Sequence, residues 1–351
     1  MSAPRVAVVL GGAGFIGRRL VALLAGEPVA GGRPAAWPRF DRVHVLDRVP
    51  FAPGLPLAGI TSEVVDVTDS SSLARSLAGA HTVFHLASIV DVSVRPGPLI
   101  ERVNVGGTRN VVEACVAGGV RSLVYTSSED VVLSEVPVAW GDESYAYPAR
   151  PIHPYVATKI EGEKLARSAD GRAGLRSVAI RPVHVYGPHD PHAIVTSLRA
   201  LASGSVRVLV GHPGARFDIV YVDNVAHAHL LAAAALDRGP DAVGGRAYFV
   251  GEGRRPNYFE FLRPYAERKQ VPMPRRYLGR TGTAIAARAL ELVHHVTGRE
   301  VPFHRFHQRV IGEDFFFSNR AIERDLGYSP LVSPDEGLRR TLAWLDGVPI
   351  R

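Results

Sequence analysis

Short apolar runs alternate with amphipathic segments through the first half of the chain. The runs are RVAVVL (5–10), RVHVLD (42–47), SEVVDV (62–67), TVFHLA (82–87), RSLVYTSS (121–128) and RSVAIRPV (176–183). Between them, apolar positions recur at helical spacing near 14–25, 70–78, 104–118 and 154–168. Strands that are apolar along nearly their whole length are buried on both faces. Their alternation with helices gives a parallel sheet with a helical layer on each side. The predicted class is therefore α/β. AGEPVAGGRPAAWPRF (25–40), rich in Gly and Pro, is read as a surface insertion. After residue 182 the rhythm breaks and Pro, His and aromatic residues accumulate. The predicted division is a sheet domain over 1–182 and a smaller, mostly C-terminal substrate-binding region over 183–351, partly interleaved with the sheet.

The strand RVAVVL passes straight into GGAGFIG, residues 11–17. Glycines at 11, 14 and 17, followed by Phe15 and Ile16 at a helix start, permit a tight turn and close approach of backbone to a pyrophosphate. The phosphates would sit on the helix N-terminus, where unpaired N–H groups and the dipole favour anions. This strand–turn–helix context is the one that a Rossmann-type, doubly wound dinucleotide site requires. The second strand ends at Asp47, where a carboxylate accepts ribose hydroxyls and repels a 2′-phosphate. It lies further along than the usual spacing of about twenty residues, and the 25–40 insertion supplies the excess. NAD is favoured over NADP, with Arg48 the one feature that leaves NADP open.

Composition narrows the remaining classes. With 351 residues, 46% hydrophobic and 21% charged, the chain has the make-up of a soluble globular protein. No secretory leader and no spanning segment are expected, and the expected location is cytoplasmic. A single cysteine, Cys115, excludes an internal disulfide framework and reads as a buried helical thiol. The net charge of +7 is carried by scattered arginines that thicken only between Arg254 and Arg288; lysine occurs at 159, 164 and 269 alone. No nucleic-acid partner is expected from that scatter. The histidines at 294, 295, 304 and 307 have no accompanying cysteine or HExxH pattern, and no metal is expected.

PYVATKIEGEKL (154–165) puts Tyr155 and Lys159 four apart, hence neighbours on a helix. Alone, this is a loose pattern. Together with DVTD (66–69), HLAS (85–88), NVGGT (104–108), YTSS (125–128) and RPVHVYGP (181–188), it resembles the extended short-chain dehydrogenase/reductases across almost the whole chain. RPVHVYGPHDPH, VYVDNVAHAHLLAAAAL, GGRAYFVGEGRRPNYFEFL and RAIERDLGYSPLVSPDEGLRRTLAWL are most similar to the 3β-hydroxysteroid dehydrogenase/isomerase branch, which includes sterol 4-carboxylate decarboxylating dehydrogenases. The resemblance implies a catalytic trio of Ser128, Tyr155 and Lys159. It also implies cofactor contacts from Asp66 with Val67 at the adenine, Leu86 and Ala87 on the diphosphate side, Thr126, and Pro182 with Val183 beside the carboxamide. Asn104 is implied as a structural support, with helix capping as its plainer role. Lys159 and a bound nicotinamide are expected to lower the Tyr155 pKa from about 10.

The implied activity is reversible NAD-dependent oxidation of a secondary alcohol on an apolar, polycyclic, sterol-like substrate. Tyr147, Ile152, Tyr277, Phe303 and Phe306 are expected to roof the pocket, and His184, His189 and His192 lie on a loop beside it. Arg216 sits where related nucleotide-sugar enzymes hold a diphosphate, so an epimerase or dehydratase is the second reading; pairing with Asp218 is the plain one. A ketoreductase of long-chain or polyketide-like compounds would share the same apolar pocket. A non-catalytic NAD-binding scaffold is the reading from another class, and retention of both Tyr155 and Lys159 weighs against it. The segment TGTAIAARALELVHHVTG (281–298) carries Ile285, Ala289, Leu292, Val293 and Val296 on one helical face, expected to cover the pocket or a second subunit of a homodimer; peripheral membrane contact is the lesser alternative.

Overall fold

The computed structural model describes residues 4–29, 32–52, 59–191 and 193–350. Seven parallel strands form its centre: β1 (Val6–Leu10), β2 (Arg42–Asp47), β3 (Ile60–Val64), β4 (Thr82–His85), β5 (Ser122–Thr126), β6 (Arg176–Pro182) and β7 (Ala247–Val250). Their order across the sheet is β7-β6-β5-β4-β1-β2-β3. The reversal of direction beside β1 is the switch point at which α/β sheets of this kind open a crevice beyond the carboxyl ends of their strands. β7 comes from beyond residue 183, so the C-terminal half supplies a strand of the sheet.

Side chains of the inner strands alternate between two cores. Ala7, Val9, Val43, Val45, Phe84 and Val124 face one helical layer; Val8, Leu10, Leu46, Val83 and Leu123 face the other. The first layer contains α1 (Phe15–Leu24) and α5 (Val222–Arg238), the second α2 (Ser70–Ser76) and α3 (Thr108–Ala117). The catalytic-candidate helix, α4, spans Pro154–Ser168, the span its periodicity predicts. A third cluster, around Tyr186, Phe217, Tyr258, Phe261 and Tyr265, fills the C-terminal region.

Several elements depart from the sequence reading. β3 ends at Val64 instead of reaching 67, because it is an edge strand with a single neighbour and most of its residues are exposed; Val65 and Val67 are buried just past its end. The helix expected from 104 becomes regular only at Thr108. Residues Arg102–Gly107 are wound as a π-turn that sets Gly107 against Val67, whose Cγ2 stands 2.6 Å from where a Cβ would be. The 25–40 insertion is not merely a surface loop. Trp37 is buried in the first core, and its indole N–H donates to His227 Nδ1 at 2.7 Å.

The helix α6 (Gly279–Thr297) turns Thr283, Ala287 and His294 inward. Ile285, Leu292, Val293 and Val296 point outward, Val296 being 77% exposed, so that face does not cover the pocket. Among the described residues no helix is long and apolar enough to cross a membrane.

The insertion's role in the core gives a direct test. Trp37→Ala should destabilise the protein by roughly 3–5 kcal/mol, the usual cost of deleting a buried Trp. Trp37→Phe should cost less, roughly 1–3 kcal/mol, mainly for leaving His227 unpartnered. Denaturant unfolding of the two variants checks this; a Trp37→Ala cost below about 1 kcal/mol would return the segment to the surface.

Candidate active site

The candidate site lies where β1, β2, β4, β5 and β6 end. At the turn after β1, Gly11 has φ +82°, and a Cβ there would stand 2.6 Å from Ala87 N. A Cβ on Gly17 would run into the Gly11 carbonyl. The turn thus carries α1 close beneath β1 and β4, and only glycine fits at these two positions. Gly14 is extended, exposed and provides no side-chain cap to α1, so the first N–H groups of Phe15–Leu24 remain open to an anion. Phe15 and Ile16 turn their side chains toward the third cluster.

Asp47 Oδ2 accepts the Ala13 N–H at 2.9 Å and Oδ1 the Val49 N–H at 3.2 Å, which ties the end of β2 to the glycine turn. A carboxylate has about four acceptor positions, so these bonds leave capacity for ribose hydroxyls. Arg48 beside it is exposed. Asp66 is exposed and held low by the Thr68 N–H and hydroxyl, while Val67 is buried. The Leu86 N–H donates to the Leu10 carbonyl at 2.9 Å, and Ala87 backs Gly11. Pro182 and Val183 are buried at the end of β6. A glycine cradle with no room for a Cβ, an uncapped helix start and an acidic strand end fit a dinucleotide.

The other half of the site is made by β5 and α4. His153 opens α4: its Nδ1 accepts the Tyr155 N–H at 3.1 Å, its Nε2 bonds the Ser93 carbonyl at 2.8 Å, and Pro154 follows at the first helical position. Tyr155, Lys159 and Glu163 then line one face, four residues apart. Lys159 is buried; Nζ donates to the Thr126 carbonyl at 2.9 Å and stands 5.0 Å over the Tyr125 ring. Burial lowers its pKa to about 8, with Glu163 and Asp130 acting the other way. The Thr126 hydroxyl itself turns away to His229 Nε2 at 2.7 Å.

The two serines of YTSS are divided by their partners. Ser127 donates to Glu163 Oε2 at 2.5 Å, into the core. Ser128 caps the next turn and donates to Asp130 Oδ2 at 2.9 Å, and its hydroxyl lies close enough to the Tyr155 phenol to favour the ionised form. Asn104 accepts the Ile89 N–H at 2.8 Å and donates to the Ile89 carbonyl at 2.9 Å and to Thr158 Oγ1 at 3.1 Å. It therefore fastens the loop after β4 to α4 and does not cap a helix. In the chain alone, the Tyr155 phenol does not follow the predicted direction: burial pushes its pKa up, Asp130 and Tyr125 add to this, and only the Ser128 bond opposes it. The Lys159 ammonium is committed to Thr126 and does not reverse the effect.

Of the expected roof, Phe306 meets Tyr155 edge-on with ring centres 6.5 Å apart, and Phe303 lies near His307. Ile152 packs on the first core. Tyr147 does not belong to a roof: it donates to Glu163 at 2.6 Å. Tyr277 likewise donates to Asn257 at 3.0 Å, in the third cluster. His184 packs among Phe217, Tyr258 and Phe261, His189 is exposed beside Trp344, and His192 lies outside the described residues. Arg216 is exposed; Asp218 pairs with Arg255 at 3.1 Å and not with Arg216. Sequence reasoning missed His153, Asp130 and the His153–His304–Phe306 stack. Pro154 was the available signal for a helix start, but nothing in the sequence assigned His153 a partner.

Residues 8–278 match the model of the 3-beta hydroxysteroid dehydrogenase/isomerase family. A "3beta-hydroxysteroid-dehydrogenase/decarboxylase isoform 2" from Arabidopsis thaliana is 34% identical over 96% of this chain, which spans 61% of that protein's length. A "3 beta-hydroxysteroid dehydrogenase/Delta 5-->4-isomerase" of Mycobacterium tuberculosis is 32% identical over 96% of this chain and 89% of its own. Among solved structures, a Streptomyces venezuelae dTDP-glucose 4,6-dehydratase bound to NAD is 26% identical with a TM-score of 0.73, covering 97% of both chains. The Thermus thermophilus UDP-glucose 4-epimerase complex with NAD is 26% identical with a TM-score of 0.70, covering 98% of this chain and 100% of its own.

Beneath the site, Glu163 is fully buried and receives two bonds from Arg181, at 2.7 and 2.9 Å, besides those from Ser127 and Tyr147. Burial works against its charge, yet the guanidinium holds its pKa below the ordinary carboxylate value. Glu163→Gln should cost roughly 3–5 kcal/mol by stranding the Arg181 charge, and a Glu163→Leu/Arg181→Met double variant should recover most of it. Urea unfolding of both decides; equal losses would mean that charge compensation is not what the pair supplies.

Proposed function

The chain belongs to the 3-beta hydroxysteroid dehydrogenase/isomerase family, and from that premise we propose an NAD-dependent oxidoreductase that interconverts a secondary alcohol and its ketone on an apolar, polycyclic, sterol-like skeleton. The observation that supports this reading is Lys159, one turn after Tyr155 on α4, anchored on the Thr126 carbonyl at the end of β5, two residues before Ser128. NAD supplies the hydride acceptor. Tyr155 Oη takes the alcohol proton, Ser128 Oγ fixes the substrate oxygen, and the Lys159 ammonium reaches the nicotinamide-side ribose from its anchor on Thr126. Gly11, Gly14 and Gly17, with Phe15 and Ile16 at the helix start, seat the pyrophosphate. Asp47 and Arg48 meet the adenosine ribose, Asp66 and Val67 the adenine, Leu86, Ala87 and Thr126 the diphosphate side, and Pro182 and Val183 the carboxamide; Asn104 supports the loop they share.

Phe306 against Tyr155, with Ile152 and Phe303 nearby, supports an apolar substrate, since pockets of this kind bind by burial and use few polar groups for orientation. At about 25 cal/mol per Å2, a fused-ring skeleton gains several kcal/mol before entropic losses. The buried thiol of Cys115 fits a reducing, cytoplasmic setting. A nucleotide-sugar reading is favoured by the names of the solved neighbours, a dTDP-glucose dehydratase and a UDP-glucose epimerase, and by the exposed Arg216.

Wild type and the variants Tyr155→Phe and Arg216→Ala should be assayed for NAD reduction with 3β-hydroxysteroids beside UDP- and dTDP-sugars. Steroid turnover should fall at least about 100-fold in Tyr155→Phe with NAD affinity kept within a few-fold, and stay near wild type in Arg216→Ala. Nucleotide-sugar turnover abolished by Arg216→Ala, with no steroid oxidised, would replace the steroid reading. Asp47→Ala should raise NADP efficiency relative to NAD by about tenfold or more, as the like-charge repulsion of a 2′-phosphate is removed. Equal use of both cofactors by wild type would show that Asp47 serves only the turn.

A further inference from the structure

The loop that follows β4 is held at two consecutive carbonyls by two imidazoles. His153 Nε2 meets the Ser93 carbonyl at 2.8 Å, and His304 Nε2 meets the Val92 carbonyl at 2.7 Å. Both rings are buried and lie stacked, with centres 5.6 Å apart and planes 25° from parallel. Phe306, on α7 (Arg305–Ile311), sits against the His153 ring at 5.2 Å and the Tyr155 ring at 6.5 Å. A carbonyl only accepts, so each Nε2 carries a proton. His153 is fixed further. Its Nδ1 accepts the Tyr155 backbone N–H at 3.1 Å, and a backbone N–H only donates, so this nitrogen is bare and the ring neutral. Pro154 has no N–H, which makes that of Tyr155 the first donor of α4 and the His153 ring its acceptor.

We propose that His153 is a positioning residue for Tyr155, and that it serves only as the neutral Nε2–H imidazole. This rests on the dehydrogenase reading above. In that form one ring ties the start of α4 to the loop after β4 and closes the turn from which the Tyr155 side chain projects. A proton on Nδ1 would set N–H against N–H. The ring would then have to turn, or the first turn of α4 to open, and Tyr155 would lose its fixed place. Ser, Thr and Asn caps keep their acceptor at every pH; an imidazole does not. His304 is under no such constraint: its Nδ1 stands 4.0 Å from Glu291 Oε1, and protonation there breaks no bond to α4.

The surroundings favour the neutral ring. Burial lowers the His153 pKa below the usual imidazole value, the Ser93 carbonyl opposes this, and the stacked His304 adds to it. Asp91 in the loop after β4 and Glu291 on α6 pull the other way. His304 is itself lowered by burial. His307 on α7 also faces the pair; burial, with His304 and His153, brings it down to about 3. The cap is therefore complete in neutral solution and is lost as pH falls below the free imidazole value of about 6.5.

The test compares His153→Ala with His153→Asn, since Asn accepts at an N-cap and does not titrate. With NAD and a 3β-hydroxysteroid panel at about pH 8, kcat of the Ala variant should fall about tenfold or more, with KM and NAD affinity within about threefold. Asn should restore most of that loss. The ratio of Asn-variant to wild-type kcat should rise at least about threefold as pH falls from about 8 to about 5, because the other groups titrate in both proteins. A ratio flat with pH, or an Asn variant as slow as Ala, overturns the proposal. Imidazole 15N and amide-exchange NMR of the cofactor-free protein separate this from the function itself. His153 Nδ1 should be unprotonated at about pH 8, and protection of the Tyr155 amide should drop as that nitrogen gains its proton. A protonated Nδ1 at that pH, or an amide unmoved by the titration, removes the cap. If wild type oxidises no steroid but the amide follows the imidazole, the dehydrogenase reading fails while the hold of His153 on Tyr155 stands.

Discussion

A buried ammonium has to be satisfied, and the way Lys159 is satisfied sets the geometry around it. Its bond to the Thr126 carbonyl joins the middle of α4 to the end of β5. The Tyr125 ring faces the same charge. Leaving such a group unpaired in a low-dielectric interior costs several kcal/mol, so the helix cannot slide or rotate on the sheet without losing that contact. Tyr155 lies one turn before Lys159, and Glu163, one turn after it, is paired with Arg181. The proposed proton acceptor and the structural charge pair thus occupy the same helical face, two turns apart.

That arrangement separates two carboxylate environments that the sequence presents alike. Glu163 is buried with a bidentate arginine and stays ionised as part of the scaffold. Asp130, only partly buried, has a serine hydroxyl and a more distant ammonium, and its affinity for a proton rises. Burial acts against the charge of both, and the partner decides which group keeps it. Glu129 is the extreme case, with Oε2 lacking a hydrogen-bond partner and its carboxyl driven toward the neutral form.

What the sequence revealed was whatever depends on local periodicity and steric rules. The inner strands, the span of α4 and the glycine turn follow from apolar runs, helical spacing and the absence of Cβ atoms at Gly11 and Gly17. The edge strand was misplaced because its neighbours, not its own residues, determine where pairing stops. Trp37 was assigned to the surface because its partner, His227, lies on a distant helix. The stripe on α6 was recognised as a face, but periodicity does not say what that face meets, and at Val296 it is largely open to solvent. Tyr155 was legible as a position, whereas its pKa direction depends on burial that spacing cannot show.

The central claim is that Tyr155 and Ser128 jointly hold the oxygen of a secondary alcohol or ketone beside a bound NAD. A crystal soaked with NAD and a 3β-hydroxysteroid or its ketone measures this directly. The account predicts the substrate oxygen within about 2.6–3.2 Å of both Tyr155 Oη and Ser128 Oγ, with the pyrophosphate on the Gly11–Gly17 turn. A steroid oxygen held elsewhere, with Tyr155 and Ser128 facing only protein or solvent, would contradict it.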